Sequence, residues 1–218
     1  MKSNIHIGYA VIPDDLLFSL DKLTISQKQY FESNITHASD KRKRQFYASR
    51  LLLNQLSDHH FSPLKLTAVE PLSRPYQLLS NNNQTHNFNI SHSHNWVCVA
   101  IADANINEAI GVDIQTLKLG WPPEKARFFC SKTQLKKGYE SELPDHYFTQ
   151  LWSNKEAYFK ATQQRFTHKD FENDDYLTKR QLSTLNTPVF MSLYCAYTAH
   201  VVYQQWSLSD NHAYYLTT

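Results

Sequence analysis

Glycine is scarce in this chain: only Gly8, Gly111, Gly120 and Gly138 occur in 218 residues. No P-loop and no GxGxxG turn can be assembled from them. Any phosphate must therefore be held mainly by Arg, Lys, His and Ser side chains, which excludes most nucleotide-binding designs. Charge of one sign is also lacking. The formal net charge is +2, so no global field calls for nucleic acid, and anion binding must come from local clusters. No apolar run approaches the length of a membrane span. Met1 to Ile12 lacks the long apolar core and small-residue cleavage pattern of a signal peptide. The three cysteines, Cys98, Cys130 and Cys195, are scattered and form no CxxC pair. An odd, dispersed set points to reduced thiols in a cytoplasm, with Cys98 a packing residue in an apolar strand.

What is present is enough for a real core: hydrophobic residues make up 41% and aromatics 13%. The length suits one large domain or two small halves. Residues 4–12 read as a strand and 14–31 contain a helix. Ser39-Asp40 offers an N-cap for a helix over about 40–57. Residues 63–87 read as strand and loop. Strands follow at 88–91, 96–101 and 110–115, and the segment 102–109 suits an antiparallel hairpin between the last two. Pro122-Pro123 opens a helical stretch to about Tyr139, and another helix begins near Tyr147. Strands are expected at 189–197, 199–208 and 212–217. Strand, helix, strands, then helix, helix, strands is an α+β order that suggests two related halves, although no sequence repeat is strong enough to show duplication.

Three segments concentrate chemistry. The first is Trp152-Ser153-Asn154-Lys155-Glu156-Ala157-Tyr158-Phe159-Lys160. On a wheel of about 100° per residue, Lys155 falls inside an apolar arc of Leu151, Trp152, Tyr158 and Phe159, with Glu156 and Lys160 at its margin. Charges against an aromatic wall need partners, which are each other, a metal or a charged ligand. An i,i+4 ion pair between Glu156 and Lys160 is the plainer alternative. The second segment is Asn89-Ile90-Ser91-His92-Ser93-His94, a strand ending in hydroxyls and imidazoles suited to phosphate. A zinc site at His92 and His94 is its rival, but no third or fourth ligand stands at a supporting spacing. The third is Gly111-Val112-Asp113-Ile114-Gln115, where Asp113 and Gln115 share a strand face. With Glu156 they would form an oxygen-only site suited to magnesium bound partly through substrate phosphate. Arg50 sits among Phe46, Tyr47 and Leu53 on its helix, so it either stretches to solvent or meets an anion in a cleft.

Taken in order, Asn-Ile-Ser-His-Ser, Gly-Val-Asp-Ile-Gln, Phe128 to Gln134, and Leu151 through Lys160 resemble the 4′-phosphopantetheinyl transferases, in the larger single-chain class similar to surfactin-type enzymes. The motifs run from about residue 39 to 165. The resemblance implies two similar α/β halves related by a pseudo-twofold axis, about 1–105 and 106–218, with coenzyme A bound between them in a monomer. It implies magnesium-dependent transfer of the phosphopantetheine arm of coenzyme A to a serine of an apo carrier protein, releasing adenosine 3′,5′-bisphosphate. Asp113 and Glu156 become metal ligands and Gln115 a weaker or indirect one. Lys160, with Lys155 nearby, neutralises phosphate charge. Ser91 and His92 grip coenzyme A phosphates, Arg50 meets the 3′-phosphate, and Arg74 lies next to the adenine. The basic run Lys41–Arg44 serves the same end of the ligand without a residue-by-residue match.

Two positions depart from the pattern. Gln115 and Gln134 stand where relatives often carry Glu. Gln134 cannot take a proton at neutral pH, so Glu156 or a metal-bound water is the expected general base. Two further readings remain open on sequence: a relative that binds coenzyme A or a carrier without transfer, and a small metal-dependent hydrolase using His92, His94 and Asp113.

Overall fold

β1 (Asn4–Val11) is buried on both faces along most of its length, which is the pattern of a central strand rather than an edge. In the computed structural model it pairs antiparallel with β5 (Trp96–Ala102) on one side and parallel with β9 (His200–Ser209) on the other. The seven-stranded sheet continues outward through β4 (Thr85–Ser93), β3 (Tyr76–Leu79) and β2 (Thr67–Val69) on one edge and β10 (His212–Tyr215) on the other. A second sheet of three strands has the order β6 (Ile110–Thr116), β8 (Pro188–Cys195), β7 (Leu177–Ser183). The structure describes residues 3–61, 67–69, 76–79, 83–164, 177–183, 188–195, 199–209 and 212–215.

The layers follow from alternation along the strands. Ala10, Val97, Val99 and Ile101 turn toward α1 (Ile25–Asn34) and α2 (Asp40–Phe61), against Phe46, Leu52, Leu53 and Leu56. Ile5, Ile7, Tyr9, Cys98 and Ala100 face the opposite way and meet Val112, Ile114, Met191 and Leu193 of the small sheet. The outer face of the small sheet carries α5 (Pro144–Thr162). The architecture is therefore mixed α+β, with two sheets packed between helices.

Several elements depart from the sequence expectation for identifiable reasons. The helix expected within 14–31 is α1, but it starts only at Ile25, where Thr24 caps it in a reciprocal capping box with Gln27, and a 3₁₀ turn at Leu20–Lys22 precedes it. The stretch opened by Pro122-Pro123 divides into α3 (Pro123–Ala126) and α4 (Lys132–Tyr139). Ser131 restarts the helix by accepting from Gln134 N, while the Gln134 side chain accepts from Ser131 N. The hairpin expected between β5 and β6 does not form. Both edges of β5 are occupied by β1 and β4, and the hairpin is β4–β5, joined by His94-Asn95. His94 takes a left-handed conformation (φ 52°) and is tied at both ends. Its carbonyl accepts from Gln45 Nε2, and its Nδ1 lies 2.7 Å from Thr116 Oγ1. β7 was not anticipated.

Candidate active site

β6 crosses to the small sheet, and its outer edge would leave backbone N–H groups without a neighbouring strand. Side chains of β4 fill that role. Asn89 Oδ1 accepts from Val112 N, Ser91 Oγ from Ile114 N and Ser93 Oγ from Thr116 N, each at 3.2 Å. Every second residue of one strand thus meets every second amide of the other, and the two sheets are stitched together along this line. The stitching places Ser91 directly against Asp113.

α5 approaches from the other side, and Gly111 permits it. A Cβ built at Gly111 would lie 1.9 Å from the Ala157 carbonyl oxygen and 2.7 Å from Ala161 N. Only a residue without a side chain lets the helix backbone rest on this strand. The helix is further docked by Gln150 and Asn154, which share Ser192 Oγ of β8 at 2.8 Å each, and by Ser153 Oγ, 3.4 Å from the Asp113 carbonyl oxygen that accepts it. Lys160 then reaches Asp113. Its Nζ donates to Asp113 Oδ1 at 2.7 Å, Ser91 Oγ at 2.7 Å and the Val112 carbonyl at 3.1 Å. Ser91 Oγ donates to Asp113 Oδ1 at 2.8 Å. The ion pair is well buried, the two side chains being 10% and 7% exposed, so it depends on these accessory hydrogen bonds. Asp113 Oδ2 is buried and has no hydrogen-bond partner among the described residues. An orphaned carboxylate oxygen is unfavourable in a protein that binds nothing there.

The remaining expected residues fall into three places. Glu156 is half-buried on α5, one turn before Lys160 and beside the Gly111 contact, and Gln115 is half-buried two residues beyond Asp113 on the same strand. Lys155 points elsewhere. It is fully buried and donates to the Phe129 carbonyl, near an aromatic cluster of Trp121, Phe129 and Trp152. Arg74 lies outside the described residues.

His92 turns away from Ser91, as alternation requires, into a cavity of about 90 Å³ lined by Tyr30, Arg42, Phe46, Ser49, Arg50, Ile90 and His92. Arg50 is only 9% exposed; its guanidinium lies 4.3 Å from the Phe46 ring centroid and donates to Ser49 Oγ at 3.0 Å. Arg42 meets His92 Nε2. Burial, followed by the charges of Arg42 and Lys160, pushes His92 down to about 4, with Arg50 adding to the same effect. A neutral imidazole accepting from a guanidinium suits Arg42, but leaves Nε2 no lone pair for zinc. The cavity is smaller than the pockets that hold drug-sized ligands. The sequence reading left Arg42 unassigned within its basic run, and only the pairing of α2 with β4 singles it out.

Gln134 has its side-chain oxygen engaged in the α4 capping box. Its place in the motif therefore has a structural explanation that needs no proton transfer. Among the described residues no three His, Cys, Asp or Glu side chains gather as a metal cage. Asp113 and Glu156 would need oxygens from a substrate or water to complete a cation's shell. That donor chemistry, with the orphaned Asp113 Oδ2, fits magnesium. No helix among the described residues is long and apolar enough to cross a membrane.

Residues 109–215, which contain Asp113, Glu156 and Lys160, match the family model described as the 4′-phosphopantetheinyl transferase superfamily. The chain is also similar to a curated protein, 4′-phosphopantetheinyl transferase psf-1 of Bacillus pumilus, at 39% identity over 79 residues. That alignment covers 34% of this chain and 31% of the Bacillus protein.

Proposed function

We propose that this protein transfers the 4′-phosphopantetheine arm of coenzyme A to a serine of an apo carrier protein, with magnesium, releasing adenosine 3′,5′-bisphosphate. The observation that carries the reading is the buried Asp113–Lys160–Ser91 cluster, whose second carboxylate oxygen is left without a partner among the described residues. Asp113 and Glu156 would hold the metal, and Gln115 would contribute directly or through water. When bound, the metal neutralises charge across the pyrophosphate and so favours displacement at its β-phosphorus.

The chain's own residues do the rest. Lys160 stabilises the phosphate charge that develops as the P–O bond breaks. Arg42, Arg50 and His92 hold a terminal phosphate of coenzyme A in their cavity, and Arg74 lies toward the adenine. Ser91 orients Asp113 and Lys160. Glu156 takes the proton of the attacking carrier serine. We place coenzyme A between two halves, about 1–105 and 106–218, related by a pseudo-twofold axis, in a cytoplasmic monomer.

The test is to mix the protein, coenzyme A, magnesium and a panel of apo carriers of fatty-acid, polyketide and peptide-synthetase type, and to weigh the carriers by mass spectrometry. A carrier gaining one phosphopantetheine group supports the reading and identifies the acceptor. If the protein binds coenzyme A yet no carrier gains mass, the protein is a binder without transfer.

A further inference from the structure

The two oxygens of Asp113 are in different states. Oδ1 is taken by Lys160 and Ser91, while Oδ2 is buried and, among the described residues, unpartnered. Lys160 is not a swinging side chain that happens to be near. Three acceptors at 2.7, 2.7 and 3.1 Å fix its ammonium, and one of them is the backbone carbonyl of Val112. A divalent ion at Oδ2 would then share one carboxylate with a fixed positive charge, in a place where little water remains to screen the repulsion.

We infer that Lys160 is the resident counter-cation of Asp113 in the ligand-free protein, and that it holds the metal site weak until an anionic ligand arrives. This rests on the transferase reading of the site. A pyrophosphate brings enough negative charge to satisfy both the ammonium and the metal, so the ammonium no longer disfavours the metal. Divalent-ion binding and coenzyme A binding are therefore coupled, and by linkage each raises the affinity of the other by the same factor. The coupling keeps the free protein from filling its site with cations that have no substrate to act on. Ser91 contributes by holding both Nζ and Oδ1 in register, which makes it a positioning residue rather than a direct phosphate ligand.

The test is Mn²⁺ binding, followed by the electron paramagnetic resonance signal of the free ion, with and without coenzyme A and with no carrier present. Wild-type protein alone should bind Mn²⁺ weakly, and saturating coenzyme A should tighten it. Lys160→Met, once circular dichroism shows it folded, should bind Mn²⁺ about tenfold tighter than wild type in the absence of coenzyme A, because the repelling charge is gone. Its affinity should then respond less to coenzyme A. Equal Mn²⁺ affinity in the folded variant and wild type overturns the inference. If the variant does not fold, wild-type protein still decides, since Mn²⁺ affinity unchanged by coenzyme A also overturns it. A modified carrier together with equal Mn²⁺ affinities sinks this inference alone. Coupled binding without modification of any carrier sinks the transferase reading and leaves the exchange standing.

Discussion

Where α5 rests on β6 the protein keeps charges inside itself; where α2 ends it keeps them out. Asp113 and Lys160 are both below about a tenth exposed and stay paired as ions. His6 and His60 lie ring against ring, centroids 4.0 Å apart. Burial first, and then the neighbouring His60, pushes His6 down to about 4, although Asp103, 3.4 Å away, pulls the other way. His60 is likewise lowered, chiefly by burial. A buried ion pair is a poor way to gain stability, whereas a neutral buried imidazole carries no charge to desolvate until it must be protonated. Under the proposed function, the charges of the first arrangement act on a ligand. The second is a feature of packing, and its signature belongs to folding rather than to chemistry.

That contrast can be broken most decisively at the ionic centre. Glu156→Gln is expected to abolish transfer, by roughly a thousandfold or more if it removes both a metal ligand and the base, while leaving the melting temperature near wild type. Retained turnover in a stopped assay of carrier modification would move the base to another group. Next in size is Gly111→Ala. A methyl group placed 1.9 Å from the Ala157 carbonyl forces α5 off β6, and a loss of about 3 kcal/mol or more, or failure to fold, is expected in urea titration. A stable, active variant would mean that the helix does not seat on this strand.

At the neutral centre the expected effect is one of pH. The folded pKa of His6 lies below the ordinary histidine value, so the unfolded chain binds the extra proton more readily. The stabilisation is complete above about pH 6.5 and is lost as pH falls toward about 4. His6→Phe should flatten the dependence of the urea midpoint on pH in that window, and parallel curves for the variant and wild type would remove His6 from the account. The smallest effect is predicted for Gln134→Ala. Losing one half of a capping box costs about 1 kcal/mol, with most transfer activity retained. A folded but inactive variant would show that Gln134 acts in catalysis after all.

How far the sequence reveals this contrast depends on distance along the chain. Asp113 and Lys160 were legible as a strand-face and a helix-face position because periodicity is local, and the structure brings the two together; the seat that Gly111 gives to α5 was not legible, because the helix belongs to another part of the chain. The burial of Lys155 was legible from the helical period as well, but its partner was not, since the Phe129 carbonyl belongs to another element. The break between α3 and α4 was available in Ser131-Lys132-Thr133-Gln134, which spells a capping box. The exchange of β6 out of the large sheet was not available, because alternation tells which face a residue occupies and not which strand lies alongside. The same limit hid Arg42 against His92, fifty residues apart, and the ladder of Asn89, Ser91 and Ser93 along β6.

The parallel pairing of β1 with β9 has a consequence for how the chain comes to be folded. Asn4 is matched with His200, so β1 cannot complete its hydrogen bonding until a strand far later in the chain has been made. Until then β1 presents an open edge, and the apolar residues on both its faces await part of their cover. Such non-local closure is slow relative to local helix formation, and an open apolar edge is a surface on which nascent chains adhere to one another. The rate-limiting event in making this protein is thus expected to be the docking of its late strands onto an early one, and shortened translation products lacking β9 would be the species most in need of chaperones.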